Sequence, residues 1–119
     1  MRAAGVCLGA LGMKGEILRG HLDMLLLASL EVGPRHGYAV IEHVGAASRG
    51  VFDLQQGTVY PVLHRLEREG LIRSGWQEHA GRQRRLYELT SDGRKRLRTD
   101  RAHFQRFARG VLGVIGEAR

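Results

Sequence analysis

The stretch Gly57-Thr58-Val59-Tyr60-Pro61-Val62-Leu63-His64-Arg65-Leu66-Glu67 reads as an amphipathic helix with an unusual outward face. Val59, Val62, Leu63 and Leu66 stand at i, i+3, i+4 and i+7, the spacing of a stripe that packs on a core. Thr58 is suited to cap the N-terminus, and Pro61 is expected in the first turn, where a missing donor matters least. Gly70 fits a left-handed C-cap, with Leu71 closing the end hydrophobically. At about 100° per residue, the face opposite the stripe carries Gly57, Pro61, His64 and Arg68, flanked by Tyr60 and Arg65. A solvated face seldom needs a tyrosine and a proline, so this one is read as a contact surface.

Downstream of that helix the pattern changes to strands. Leu71 to Glu78 and Arg84 to Thr90 are the strand candidates, with His79 to Gln83 as the turn. Trp76, the only tryptophan, is expected to pack on the hairpin's inner face. Arg82, Arg84 and Arg85 crowd the turn beside Gly81, with no acid before Glu88. Such a loop suits backbone or minor-groove contact with a nucleic acid, or simply keeps a strand edge soluble. Thr90 is suited to cap a last helix starting near Ser91, basic in its first turns. Leu97, Phe104 and Val111 recur every seven residues; Phe107 and Val114, and Ala108 and Ile115, form two further series. Together they make a seam for another helix. Gly110, Gly113 and Gly116 each weaken it by about 1 kcal/mol relative to alanine.

Upstream, a helix is expected from about Glu16 to Leu30. Ile17, Leu18, Leu22, Leu25, Leu26 and Leu30 follow helical spacing, and Met24 and Leu27 make it apolar almost all round, as a central helix should be. Gly33-Pro34 ends it. A second helix, His36 to Ala47, has the stripe Tyr38, Ile41, Val44 and Ala47, followed by a short extended piece, Val51 to Leu54. Residues 1–13, rich in Ala and Gly, read as a tail or an over-extended start, with Met13 as the alternative initiator.

Charge is distributed unevenly. Residues 1–56 hold five basic and five acidic groups; residues 57–119 hold the remaining 14 basic and seven acidic ones, so the whole net charge of +7 lies in the second part. That asymmetry favours a polyanionic partner. The lone Cys7 excludes an internal disulfide and a cysteine-built zinc site and fits a reducing compartment. No run approaches the roughly 18 apolar residues of a membrane span. The six histidines include no i, i+4 pair, and neither a phosphate loop nor a nucleophile elbow occurs. Neither enzymatic activity, nor a metal, nor a cofactor is expected.

Helix, helix, helix, hairpin, helix is the order of a winged helix-turn-helix, a mainly α fold with a small β-hairpin. Such folds place their third helix in the DNA major groove. Thr58, Tyr60 and His64 would supply donors and acceptors there, and Arg65 and Arg68 would reach phosphates or a guanine edge. A protein-binding winged helix and a basic RNA-binding protein are the competing classes.

The motifs also resemble those of one family. Gly15-Glu16-Ile17-Leu18-Arg19-Gly20-His21-Leu22-Asp23, Gly33-Pro34-Arg35-His36-Gly37-Tyr38, the Gly57 to Glu67 stretch, Gly70-Leu71-Ile72, and Arg84-Arg85-Leu86-Tyr87-Glu88-Leu89-Thr90 with Gly93 are similar to those of the PadR family of bacterial transcriptional regulators. The likeness covers about Lys14 to Arg101. It implies a cytoplasmic winged-helix repressor over 14–90, dimerised through a C-terminal helix over 91–119. It further implies a near-palindromic double-stranded operator and release by a small-molecule effector at the dimer interface. It assigns Thr58, Tyr60, Pro61, His64 and Arg65 to the recognition helix, Tyr38 to a phosphate contact, and Arg82 to Arg85 to the wing. Only 29 residues follow Thr90, as in the short subgroup with one C-terminal helix. Some members of that subgroup place a tryptophan from that helix in a drug-binding pore; here it offers Leu97, Phe104 and Phe107 instead.

Overall fold

The computed structural model describes residues 20–116. The expected tail, Cys7, Met13, and residues 16–19 of the expected first helix, with Ile17 and Leu18, lie outside them; Gly20 and His21 form a turn, so the helix begins at Leu22 and not at about Glu16. The order is α1 (Leu22–Ser29), β1 (Arg35–His36), α2 (Gly37–Ala47), α3 (Gln56–Arg68), β2 (Ile72–His79), β3 (Arg82–Leu89) and α4 (Ser91–Ile115). The three strands form one antiparallel sheet in the order β1-β3-β2. This is a winged helix with a long C-terminal helix.

α1 is the centre, as its nearly continuous apolar surface requires. Leu22, Leu26, Leu27 and Leu30 are buried against Val40 and Val44 of α2, Val59, Leu63 and Leu66 of α3, and Leu97 of α4. Ile72, Tyr87 and Leu89 close the core from the sheet. The stripe expected on α3 is therefore the buried one, with Val62 only partly covered.

Four local expectations need correction. Thr58 is not the cap of α3: the cap lies three residues earlier at Gln55, whose carbonyl accepts from both Thr58 N–H and Val59 N–H at 3.0 Å. Pro61 consequently lies inside the helix, in its second turn. It cannot donate to the Gly57 carbonyl, which solvent can serve because Gly57 is exposed. The stripe of α2 is rotated from the expected one: Gly37, Val40 and Val44 are buried, while Tyr38 is 55% exposed and Ala47 is exposed. Gly37 caused the misreading. It contributes no hydrophobicity, yet it faces Tyr60 so closely that an added Cβ would lie 2.7 Å from the Tyr60 hydroxyl oxygen. Finally, the hairpin turn is two residues, Ala80 and Gly81, both with positive φ (55° and 79°). That primed turn extends both strands to the tip. β1 is too short to show any periodicity in the sequence; it pairs Arg35 with Tyr87 and His36 with Leu86.

The two ends of the α3–wing segment are clasped together. Gly70 (φ 79°) ends α3: Leu71 N–H donates to Leu66 and Gly70 N–H to Glu67, both at 3.0 Å, the paired bonds of a Schellman cap. Thr90 then donates its hydroxyl to the Gly70 carbonyl at 2.7 Å and accepts from Gly93 N–H at 3.0 Å, capping α4 as expected. Arg101 of α4 pairs with Glu31 behind α1 at 2.6 Å, and that bond holds the Glu31 carboxyl below its ordinary range.

Candidate nucleic-acid interface

α3 presents one face to the core and the other outward. Pro61, His64 and Arg68 are exposed, as is Gly57; Thr58, Tyr60 and Arg65 are half-buried along the flanks. Seven of the residues singled out from the sequence thus share or border one helix surface, as the periodicity required.

Their chemistry differs. Tyr60 packs its ring on the core edge over Gly37, so its hydroxyl is fixed at the rim of the helix. Arg65 is tied down: its guanidinium pairs with Asp23 of α1 at 2.5 Å and with Glu69 at 3.1 Å. Those two bonds, Asp23 first, hold its charge more firmly than usual. Asp23 also lies 3.5 Å from Arg96 of α4, which in turn pairs with Asp100 at 3.0 Å. One carboxylate of α1 therefore bridges the outward helix and the C-terminal helix. A cavity of about 370 Å³ opens at this junction, walled also by His21, Met24, His103, Phe104 and Phe107.

The wing stands beside the start of α3. A groove of about 320 Å³ runs between them, lined by His36, Tyr38, Tyr60, Arg84, Arg85 and Tyr87. Burial raises the Tyr87 phenol above its ordinary range, so at the groove's floor it is a neutral hydroxyl, although Arg85 pulls the other way. Among the described residues no carboxylate pairs with Arg68, Arg82, Arg84 or Arg85. Cations that no carboxylate neutralises are an electrostatic footprint for a polyanion.

Two features were missed. His36 enters the groove because β1 brings it there, its Nδ1 3.3 Å from the Arg85 carbonyl. Trp76 does not pack inward; it is 67% exposed, with the Arg85 guanidinium 4.7 Å from the ring centroid.

The seam expected on α4 divides in two. Leu97 is 2% exposed and belongs to the chain's own core, a correction to its place on a partner face. Phe104, Phe107, Val111, Val114 and Ile115 are all exposed on the projecting half, with Ala108 half-buried among them. Among the described residues there is no cluster of three metal-ligating side chains, and no helix is long and apolar enough to cross a membrane.

Comparison with known proteins matches residues 26–99 to the model of the Transcriptional regulator PadR-like family. The chain belongs to the PadR-like family. The similarity extends to individual members. A stretch of 66 residues, 56% of this chain, is 46% identical to "Transcriptional regulator Rv3488" of Mycobacterium tuberculosis, and it spans 62% of that relative's length. A PadR family transcriptional regulator from Eggerthella lenta is 32% identical with a TM-score of 0.71, over 87% of this chain and 88% of that one. One from Clostridium difficile is 30% identical with a TM-score of 0.68, over 81% and 98%. The family and the relatives named here are transcriptional regulators, not enzymes, and the winged helix of this PadR-like chain is the fold of those relatives.

Proposed function

We propose that the chain binds double-stranded DNA as a homodimer, in a sequence-specific manner, and acts as a repressor released by a small molecule. The reading rests above all on one observation: Tyr60, on the flank of the outward face of α3, and Arg84 and Arg85 of the wing, which no carboxylate pairs among the described residues, border the same groove. A phosphate backbone running through that groove would meet Tyr38, Arg84 and Arg85, while His64 and Arg68 faced base edges. Thr58, Tyr60 and Pro61 would line the approach, and Arg82 would touch the backbone at the wing tip. Arg65, held by Asp23 and Glu69, serves chiefly to aim α3, reaching a phosphate only as a shared partner.

The chain divides, on this reading, into a DNA-reading unit over 14–90 and a dimerisation helix over 91–119. The partner face of that helix is built from Phe104, Phe107, Ala108, Val111, Val114 and Ile115. Its exposed apolar stripe is what an unpartnered seam presents. An effector at that interface would change operator affinity if it shifted α4, because Asp23 joins α4 to α3 through Arg96 and Arg65.

Titration of labelled duplex DNA and of a double-stranded RNA of equal length, each over a range of salt, tests the class. Duplex DNA is expected to bind more tightly, with affinity falling steeply as salt rises. Tyr60→Ala is expected to cost about 1–3 kcal/mol of that binding. Tighter binding to RNA, or affinity indifferent to Tyr60→Ala and to salt, would overturn the proposal in favour of an RNA-binding or protein-binding module.

A further inference from the structure

The two-residue turn sets the register of the wing, placing Trp76 directly opposite Arg85. Pleat alternation puts this pair on the same hairpin face as Ser74–Tyr87 and Ile72–Leu89. Ile72, Tyr87 and Leu89 cover the core, and Ser74 donates its hydroxyl to Glu67 of α3 at 2.7 Å. One pair further out neither Trp76 nor Arg85 belongs to the core. A tryptophan stands there regardless, 67% exposed.

What the indole does touch is a charge. The Arg85 guanidinium sits 4.7 Å from the ring centroid, within cation–π range, and no carboxylate competes for it among the described residues. Arg85 also borders the groove with Tyr38 and Tyr60. One side of the guanidinium is thus stacked while the side chain as a whole lines the groove. A free arginine loses rotamer freedom on meeting a phosphate; a stacked one has lost part of it already.

We propose that Trp76 is a positioning residue of the wing, its ring holding Arg85 in place for a DNA backbone phosphate. This rests on the DNA-binding reading above. Trp76 is the chain's only tryptophan, so its own emission reports on the site. The test measures anisotropy of a labelled random-sequence duplex with wild type, Trp76→Ala, Trp76→Phe, Arg85→Ala and the Trp76→Ala/Arg85→Ala double variant, each at several salt concentrations. Trp76→Ala is expected to weaken binding about two- to fivefold with its melting temperature unchanged. Trp76→Phe should recover part of the loss, since a phenyl ring still stacks. Arg85→Ala should weaken binding at least as much and lower the salt slope by about one. The double variant should bind no more weakly than Arg85→Ala alone, and wild-type tryptophan emission should change on saturation with duplex. Losses that multiply in the double variant, or emission that stays constant while anisotropy reports binding, would overturn the role of Trp76 and leave the DNA reading standing. Absence of duplex binding by the wild type would remove both.

Discussion

Phe107→Glu is expected to turn a dimer into a monomer and to lower affinity for a duplex with two half-sites by about 10²- to 10⁴-fold. Phe107 is 61% exposed in the single chain and is not part of its buried core, so the winged-helix body should remain folded. A carboxylate at the middle of an apolar stripe cannot be buried against a second copy without a large desolvation cost. Two linked recognition helices bind the second half-site at high effective concentration, and separated ones do not. Sedimentation velocity and duplex titration, run on the same preparations, check the two halves of the expectation together. Retention of the dimer, or monomers that bind as tightly as wild type, would show that the face from Phe104 to Ile115 is not the one that pairs.

Gly93→Ala should be the most destabilising single-methyl change in the described chain. Glycine to alanine inside an exposed helix ordinarily stabilises, by about 0.5–1 kcal/mol. At Gly93 the sign reverses, because the added Cβ would collide with the Leu71 carbonyl, and that oxygen belongs to the backbone clasp made by Gly70, Leu71 and Thr90. Neither partner can rotate away. A loss of about 3 kcal/mol or more is expected, lowering the melting temperature by more than about 12 °C. Gly113→Ala, at an open helical position, supplies the control and should leave the single chain as stable or slightly more so. Thermal melts of the two variants decide the matter, and equal stability would mean the clasp is looser than its geometry indicates.

The elements that matter most were legible because they are long and periodic. α3 shows its buried stripe in Val59, Leu63 and Leu66, and α4 its cap in Thr90 and its projecting seam in Phe107 and Val114. Two of the differences come from residues without a local signal of their own. Gly37 carries no hydrophobic signal, yet its missing side chain makes room for Tyr60 and so rotates α2. Ala80 gives no turn signal of its own, but with Gly81 it closes a two-residue turn. Reading Ala80-Gly81 as that turn would have set Trp76 against Arg85 from the sequence alone. The pairing of Arg65 with Asp23 spans 42 positions, and no local pattern reports it. The same holds for β1, whose two residues are recruited by the edge of β3.

Asp23 links the outward helix to the C-terminal helix. It joins α1 to α3 through Arg65 and to α4 through Arg96. On the proposed reading, a partner or ligand that moved α4 would act on the aim of the outward helix as well as on the distance between subunits.

On the proposed reading the outward face of α3, paired by a twofold-related copy, reads duplex DNA. Hydroxyl-radical footprinting of the DNA upstream of the chain's own gene tests it most directly. Two protected patches related as an inverted repeat, centred about 34 Å apart and lost in a Tyr60→Ala/His64→Ala variant that stays folded and dimeric, are the predicted result. Protection that survives that double substitution, or a single patch without symmetry, would contradict it.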